Sequence, residues 1–332
     1  RQMCIRDRDF YTAAAIGTAV RDWVAGLASF ADVTDVTCQD CAQMAWAGPP
    51  MPEPMQALWA SWEDRDTQYV EPFQIFDNVY YVGIDWVAAY LITTSDGLIL
   101  IDSLYGSWIP QLITNIRTLG FDPADVKYVI ATHGHFDHSG GAGYMQRRFG
   151  SSVVMTEEDW ALTEAKPEFA QFYSPVPQRD VVAVDGDVVE LGDTKIELFE
   201  TPGHTEGVLT MRYTVRDGDA EHTAITLGGV GLNFSGVQRT KAYLDSYARI
   251  SQLQRGAAVS LPNHAAMGRV FERAAALSER RSGDAHPFVD EAAFSADIAQ
   301  FILNAESKLL AERSGETTDP LEALTTAIGS ED

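Results

Sequence analysis

Between Tyr128 and Tyr144 the chain reads YVIATHGHFDHSGGAGY, which places His133, His135, Asp137 and His138 within six positions. The whole sequence has only 7 histidines. Neutral imidazole and carboxylate are the donors a borderline-soft divalent metal takes. His133 and His135 are two apart, so an extended backbone points both to one side. Asp137 and His138 can then turn towards a neighbouring point. This spacing suits two adjacent metals better than one.

Two further histidines stand where they can complete such a centre. FETPGHTEG puts His204 in a Pro-Gly turn, and VSLPNHAAM puts His264 just before a helical stretch. Each of the three segments runs strand, turn, histidine, and loops on a rigid scaffold are where sites are built. His222 reads as an ordinary strand residue. His286, in the turn GDAHPFV, is a candidate for the site rim.

The elements that must hold these residues are short strands and helices. FQIFDNVYYVG, AAYLITT and LILID read as strands, with Ser95-Asp96-Gly97 as a turn. A helix is expected over 108–119 and a buried strand over 127–132. Helices follow at 139–149 and 157–165, with SSVVMT as a strand between them. The stretch 167–179 is long enough for a rim or lid. Strands are expected at 181–184, 187–190, 194–200, 208–215, 222–228 and 257–261, and helices at 239–255, 265–280 and 290–312. This order implies two β-rich halves packed sheet on sheet with helices outside, an α+β architecture. Residues 71–312 form the main domain in this reading. Residues 1–70 are an N-terminal extension, with a helix over 9–30 and irregular chain over 31–70, and 313–332 are a polar tail.

These motifs, in this order, resemble the metallo-β-lactamase superfamily and its αββα sandwich. The resemblance spans about residues 70 to 290 and rests on HGHFDH, TPGHT, the late Asn263-His264, and the strand segments DNVYYVG and DGDVVELGDTKIELFETPGHT. It implies two Zn²⁺ per chain: His133, His135 and His204 would hold the first, and Asp137, His138 and His264 the second. Asp102, closing LILID, would orient one of the ligands. Asp137 would also orient the attacking water and pass on its proton. Many hydrolases of this fold add a bridging Asp after a late strand, but AITLGGVGLNF offers Gly228, Gly229 and Val230 instead. A His-and-Asp set without Cys is most similar to the third metallo-β-lactamase subclass. That subclass places hydroxyl residues here for the substrate carboxylate, whereas this chain has Val230 and Leu232, with Asn233 and Ser235 slightly later. Glu206 stands where a Pro is common. Trp86 and Tyr105 are candidate rim aromatics, together with Asn233, Ser235 and His286.

Composition narrows the partners. The 332 residues carry 48 acidic and 24 basic side chains, a net charge of −24. Nucleic-acid binding rests on phosphate neutralisation, so this surface argues against DNA, RNA and anionic membranes. A small-molecule substrate is expected, and the N-terminal arm is a candidate for packing on the domain or on a second subunit. Residues 1–8, RQMCIRDR, resemble translated adapter sequence and are set aside. With that start in doubt, periplasmic, secreted and cytoplasmic locations all stay open. Cys38 and Cys41 form a lone CxxC, two of the four ligands a structural zinc needs. The leading functional expectation is a dinuclear zinc hydrolase opening a β-lactam ring. A lactone, ester or thioester is the alternative substrate, a non-catalytic metal scaffold comes after it, and a nuclease is disfavoured. No GxSxG is present to supply a serine nucleophile.

Overall fold

The computed structural model describes residues 60–165 and 175–315. The expected helix at 9–30, the CxxC pair and most of the tail lie outside the described residues, as does residues 166–174 of the rim loop. The chain divides into two units between Tyr69 and Val70. In the first, α1 (Arg65–Gln68) begins at Asp64, whose Oδ1 accepts the Asp66 N–H at 3.1 Å.

The second unit is built on two sheets. The seven-stranded sheet runs β1 to β7 in sequence order: Phe73–Phe76, Val79–Tyr81, Tyr90–Thr94, Gly97–Ile101, Val126–Ile130, Ser152–Thr156 and Val181–Ala183. Its first four strands pair antiparallel, and β4 to β7 pair in parallel. The five-stranded sheet has the order β12-β11-β10-β9-β8. Its strands are β8 (Val188–Leu191), β9 (Thr194–Glu200), β10 (Leu209–Asp217), β11 (Ala220–Thr226) and β12 (Val259–Ser260).

Alternation explains the packing. In β9, Thr194, Ile196 and Leu198 are buried while Lys195 and Glu197 face water. Ile196 and Leu198 meet Ile99, Ile101, Ile130 and Val154 of the other sheet in one core. Outer helices follow the three-and-four spacing of apolar residues: α2 (Ile109–Thr118) buries Ile109, Leu112, Ile113 and Ile116. On the five-stranded sheet, α6 (Val237–Leu253) and α8 (Glu291–Ser314) pack Tyr243, Tyr247, Phe294 and Ile298 over Ile225 and Leu227. The architecture is the αββα sandwich that the sequence implies.

Several boundaries moved for identifiable reasons. Strand β5 stops at Ile130 rather than 132, because Thr132 turns its N–H to Asp102 Oδ1 at 2.7 Å. The helix expected over 139–149 is two pieces, α3 (Phe136–Ser139) and α4 (Ala142–Phe149). The helix expected from 265 breaks at Arg269, whose φ of 52° ends a 3₁₀ turn before α7 (Val270–Ser278). Helix α5 (Glu157–Ala165) has its expected bounds. No helix among the described residues is long and apolar enough to cross a membrane.

Candidate metal centre

The histidine-bearing loops leave their strands on one side of the sandwich. Asp102 follows β4, the His133–His138 loop follows β5, His204 follows β9 and His264 follows β12. The two sheets are tied together there: Leu209 N donates to Thr132 O at 2.8 Å, and Tyr90 Oη donates to Pro262 O at 2.8 Å. The first bond locks the His204 hairpin onto the His133 loop, and the second holds the His264 turn against β3.

Three ring nitrogens converge in the first group. His133 Nε2 lies 3.0 Å from His135 Nδ1, which lies 3.0 Å from His204 Nε2. In the second group, His138 Nε2 lies 3.0 Å from Asp137 Oδ2 and 3.3 Å from His264 Nε2. His264 Nε2 is 3.8 Å from the same carboxylate oxygen. His133 is close enough to join either group, so the two are contiguous.

The outward faces of these rings fix their tautomers. His204 Nδ1 donates to Gly231 O at 2.9 Å, and His264 Nδ1 to Trp86 O at 2.8 Å. Each Nε2 is thereby left as an inward lone pair. His138 Nδ1 is held by Asp102 Oδ2 at 2.7 Å. Burial and neighbouring histidines hold His133 and His204 well below the usual imidazole range. Burial and His138 bring His264 down to about 4, against the pull of Asp137. Held below the usual range, these rings favour the neutral form, the form in which an imidazole nitrogen can ligate a metal. Burial alone would lower His138 too, yet the carboxylates of Asp137 and Asp102 push it up to about 10. Asp137 is the converse case: burial would raise it, but His138, then His264 and His135, hold it well below the carboxylate range.

Asp102 is 1% exposed and carries φ of 60°. A non-glycine residue in that region costs about 1 kcal/mol, a cost concentrated at functional positions. Its carboxylate accepts three bonds: from Thr132 N, from Thr132 Oγ1 at 2.9 Å and from His138. Burial raises its pKa, and His138 and Thr132 oppose the rise.

The other expected residues divide. Trp86 is half-buried, 5.6 Å from the His264 ring, and stands at the rim. Asn233 and Ser235 are exposed in the loop that supplies Gly231 O to His204. Tyr105 is not a rim residue: it is fully buried, supporting Trp86 and Phe136 edge-on at 5.9 and 5.3 Å. His286 is also elsewhere. It is buried, stacked on Phe76 at 4.1 Å and bonded to Ile75 O at 2.9 Å, beside Asp217 at the hairpin end of β10. A ring that stacks on a core phenylalanine is a packing residue.

Thr132, Phe136 and Arg239 were not singled out in the sequence. Arg239 Nε donates to Gly203 O at 2.8 Å, and its guanidinium also meets His204 O. Only its place on the face of α6 turned to the TPGH turn gives it this role, and one sequence carries no sign of that.

Comparison with known proteins agrees with the geometry. Residues 85–217 match the family model described as Metallo-beta-lactamase superfamily. The crystal structure of BJP-1, a subclass B3 metallo-beta-lactamase of Bradyrhizobium japonicum, is similar with a TM-score of 0.70 and 27% identity, over 76% of this chain and 99% of that one. An N-acyl homoserine lactonase from Bacillus sp is 26% identical over 144 residues, 36% of this chain and 55% of that protein. The hydroxyacylglutathione hydrolase GloC of Haemophilus influenzae is 32% identical over 109 residues, 31% of this chain and 50% of that protein. The chain spans about half the length of these two curated relatives. The chain carries a metallo-beta-lactamase superfamily domain.

Proposed function

We propose that this protein is a dinuclear zinc hydrolase whose substrate is a small molecule with a strained amide ring, a β-lactam. The observation that carries the reading is the inward convergence of the histidine nitrogens, with His138, His204 and His264 each fixed by an acceptor on its outer face, beside the ionised Asp137. His133, His135 and His204 would hold one zinc, and Asp137, His138 and His264 the other. Zinc bound there would supply a polarised carbonyl and a water with pKa lowered to roughly 7. Asp137 stays ionised and is the group that takes a proton from the attacking water and returns it to the leaving nitrogen. Asp102 keeps His138 Nε2 free of a proton once the centre is loaded. Trp86 and Phe136 flank the histidines, and apolar walls of this kind exclude water and seat a ring.

The similarity to a subclass B3 enzyme over nearly its whole length supports the β-lactam reading, as does the absence of a side chain at Gly229 that could bridge the metals. The second reading, a lactone or thioester substrate, is favoured by the named lactonase and hydroxyacylglutathione hydrolase relatives. A panel of β-lactams, lactones, aryl esters and thioesters, each with and without chelator, separates them. Chelator-sensitive turnover of β-lactams is expected, and activity confined to the other classes would replace the lead substrate.

A further inference from the structure

Helix α5 lies behind two of the histidine loops, and one of its residues touches both. Asp159 is 1% exposed. Its Oδ2 accepts a hydrogen bond from Thr205 Oγ1 at 3.0 Å. The backbone N–H groups of Gly134 and Gly207 are directed at the same carboxyl, while Oδ1 is buried without a partner at full hydrogen-bond geometry. Gly134 separates His133 from His135, and Thr205 follows His204. This carboxyl therefore sits between the two stretches that carry the three-histidine group.

The glycines record how closely the loops close on it. A Cβ at Gly134 would lie 2.7 Å from Asp159 O and 3.2 Å from Asp159 Cβ. A Cβ at Gly207 would lie 1.9 Å from Thr156 Oγ1 and 2.9 Å from Asp159 Cγ. Neither contact is tolerated by ordinary side chains, so HGH and HTEG leave a side chain out where each loop meets the same residue. Two hydroxyls brace the same corner: Thr163 Oγ1 donates to Asp159 O at 2.8 Å, and Thr156 Oγ1 donates to Gly207 O at 2.8 Å and accepts from Asp159 N at 3.4 Å.

An acidic residue in the first turn of a helix commonly serves the helix itself, through the macrodipole. Asp159 does not fit that role alone. Burial pushes its carboxyl up to about 7 against the Thr205 bond, and an incompletely paired buried carboxyl costs stability.

We propose that Asp159 is a positioning residue for the three-histidine subsite, tying the His133–His135 loop to the His204 loop and so setting the spacing of their imidazoles. This rests on the metal reading above. The test reads zinc affinity in competition with a chromophoric chelator, in a His264→Ala background where only the three-histidine subsite remains intact. Asp159→Ala is expected to weaken that subsite about 10- to 100-fold. Asp159→Asn keeps an oxygen for Thr205 and is expected to restore most of the affinity. A purely structural role would lower the melting temperature of Asp159→Ala and leave zinc affinity unmoved, which overturns the proposal. Should Asp159→Ala fail to fold, Thr205→Val deletes the one short bond; unchanged affinity there overturns the proposal, and a loss of about tenfold supports it. If the unmutated protein binds no zinc, the metal centre itself falls and the positioning role with it. Two zinc ions in the unmutated protein with an unaffected Asp159→Ala subsite sink the positioning role alone.

Discussion

Asp102 Oδ2 and His138 Nδ1 lie 2.7 Å apart, and neither side chain reaches solvent. This pair ties the end of β4 to the short helix that carries Asp137, and it chooses which His138 nitrogen faces the centre. Asp102→Ala removes the acceptor and leaves His138 and the Thr132 N–H unpaired. Breaking a buried pair from one side costs about 3–5 kcal/mol, so a clear drop in denaturation midpoint is expected. Zinc affinity at the His138 subsite should fall about 10- to 100-fold. Unchanged zinc affinity in a folded Asp102→Ala protein would show that Asp102 serves the fold alone.

Metal loading should expel a proton. In the metal-free protein His138 is charged at pH 7, because Asp137 and Asp102 push it up to about 10. Its Nε2 must be free to ligate a metal. Zinc uptake at pH 7 is therefore expected to release about one proton per chain, seen in calorimetry as a binding heat that depends on the buffer's ionisation enthalpy. A buffer-independent heat would contradict the charged state of His138.

The same group gives a signed pH dependence. A pKa raised on folding contributes stability that is complete below the ordinary value of 6.5 and is lost as pH climbs through about 10. Asp137, depressed on folding, contributes above its ordinary 3.8 and loses that contribution as pH falls below it. Asp159, pushed up to about 7, has completed its own titration before the upper window opens. Chelator-treated protein should therefore melt at a lower temperature at about pH 10.5 than at about pH 8. A flat profile there would mean that His138 is neutral in the metal-free state.

Gly229 lies against His204 in the Gly228–Val230 stretch that offers no bridging carboxylate. A Cβ there would stand 2.9 Å from His204 Cβ and 2.9 Å from Val208 Cγ2. Gly229→Asp is expected to overpack the site, at about 1–3 kcal/mol, and to lower turnover on the preferred substrate. Improved lactone or thioester hydrolysis in that variant would show that the loop can yield, and would favour the second substrate reading.

The site was legible in the sequence where chemistry is local and dense. HGHFDH announces itself in one strand exit, and the strand–turn–histidine pattern picks out His204 and His264. The strands were legible by alternation, as in β9, and by apolar runs, as in LILI. What was not legible depends on which elements meet in space. His286 and His264 both follow turns, yet one stacks on Phe76 and the other faces Asp137. Tyr105 looked like a rim aromatic because exposure is not written in residue type. Asp159, in TEEDWALTE, is one acid among three in a helix's first turn, and only the packing of two loops on it sets it apart.

In the proposed centre, six side chains from three loops hold two metals. Zinc counted by mass spectrometry on protein purified without chelator and dialysed against metal-free buffer tests it most directly, in the unmutated chain and in Asp137→Asn. About two zinc ions per chain are expected, falling to about one in Asp137→Asn with loss of most hydrolytic turnover. No bound zinc in the unmutated chain, or full zinc content and full turnover in Asp137→Asn, would contradict it.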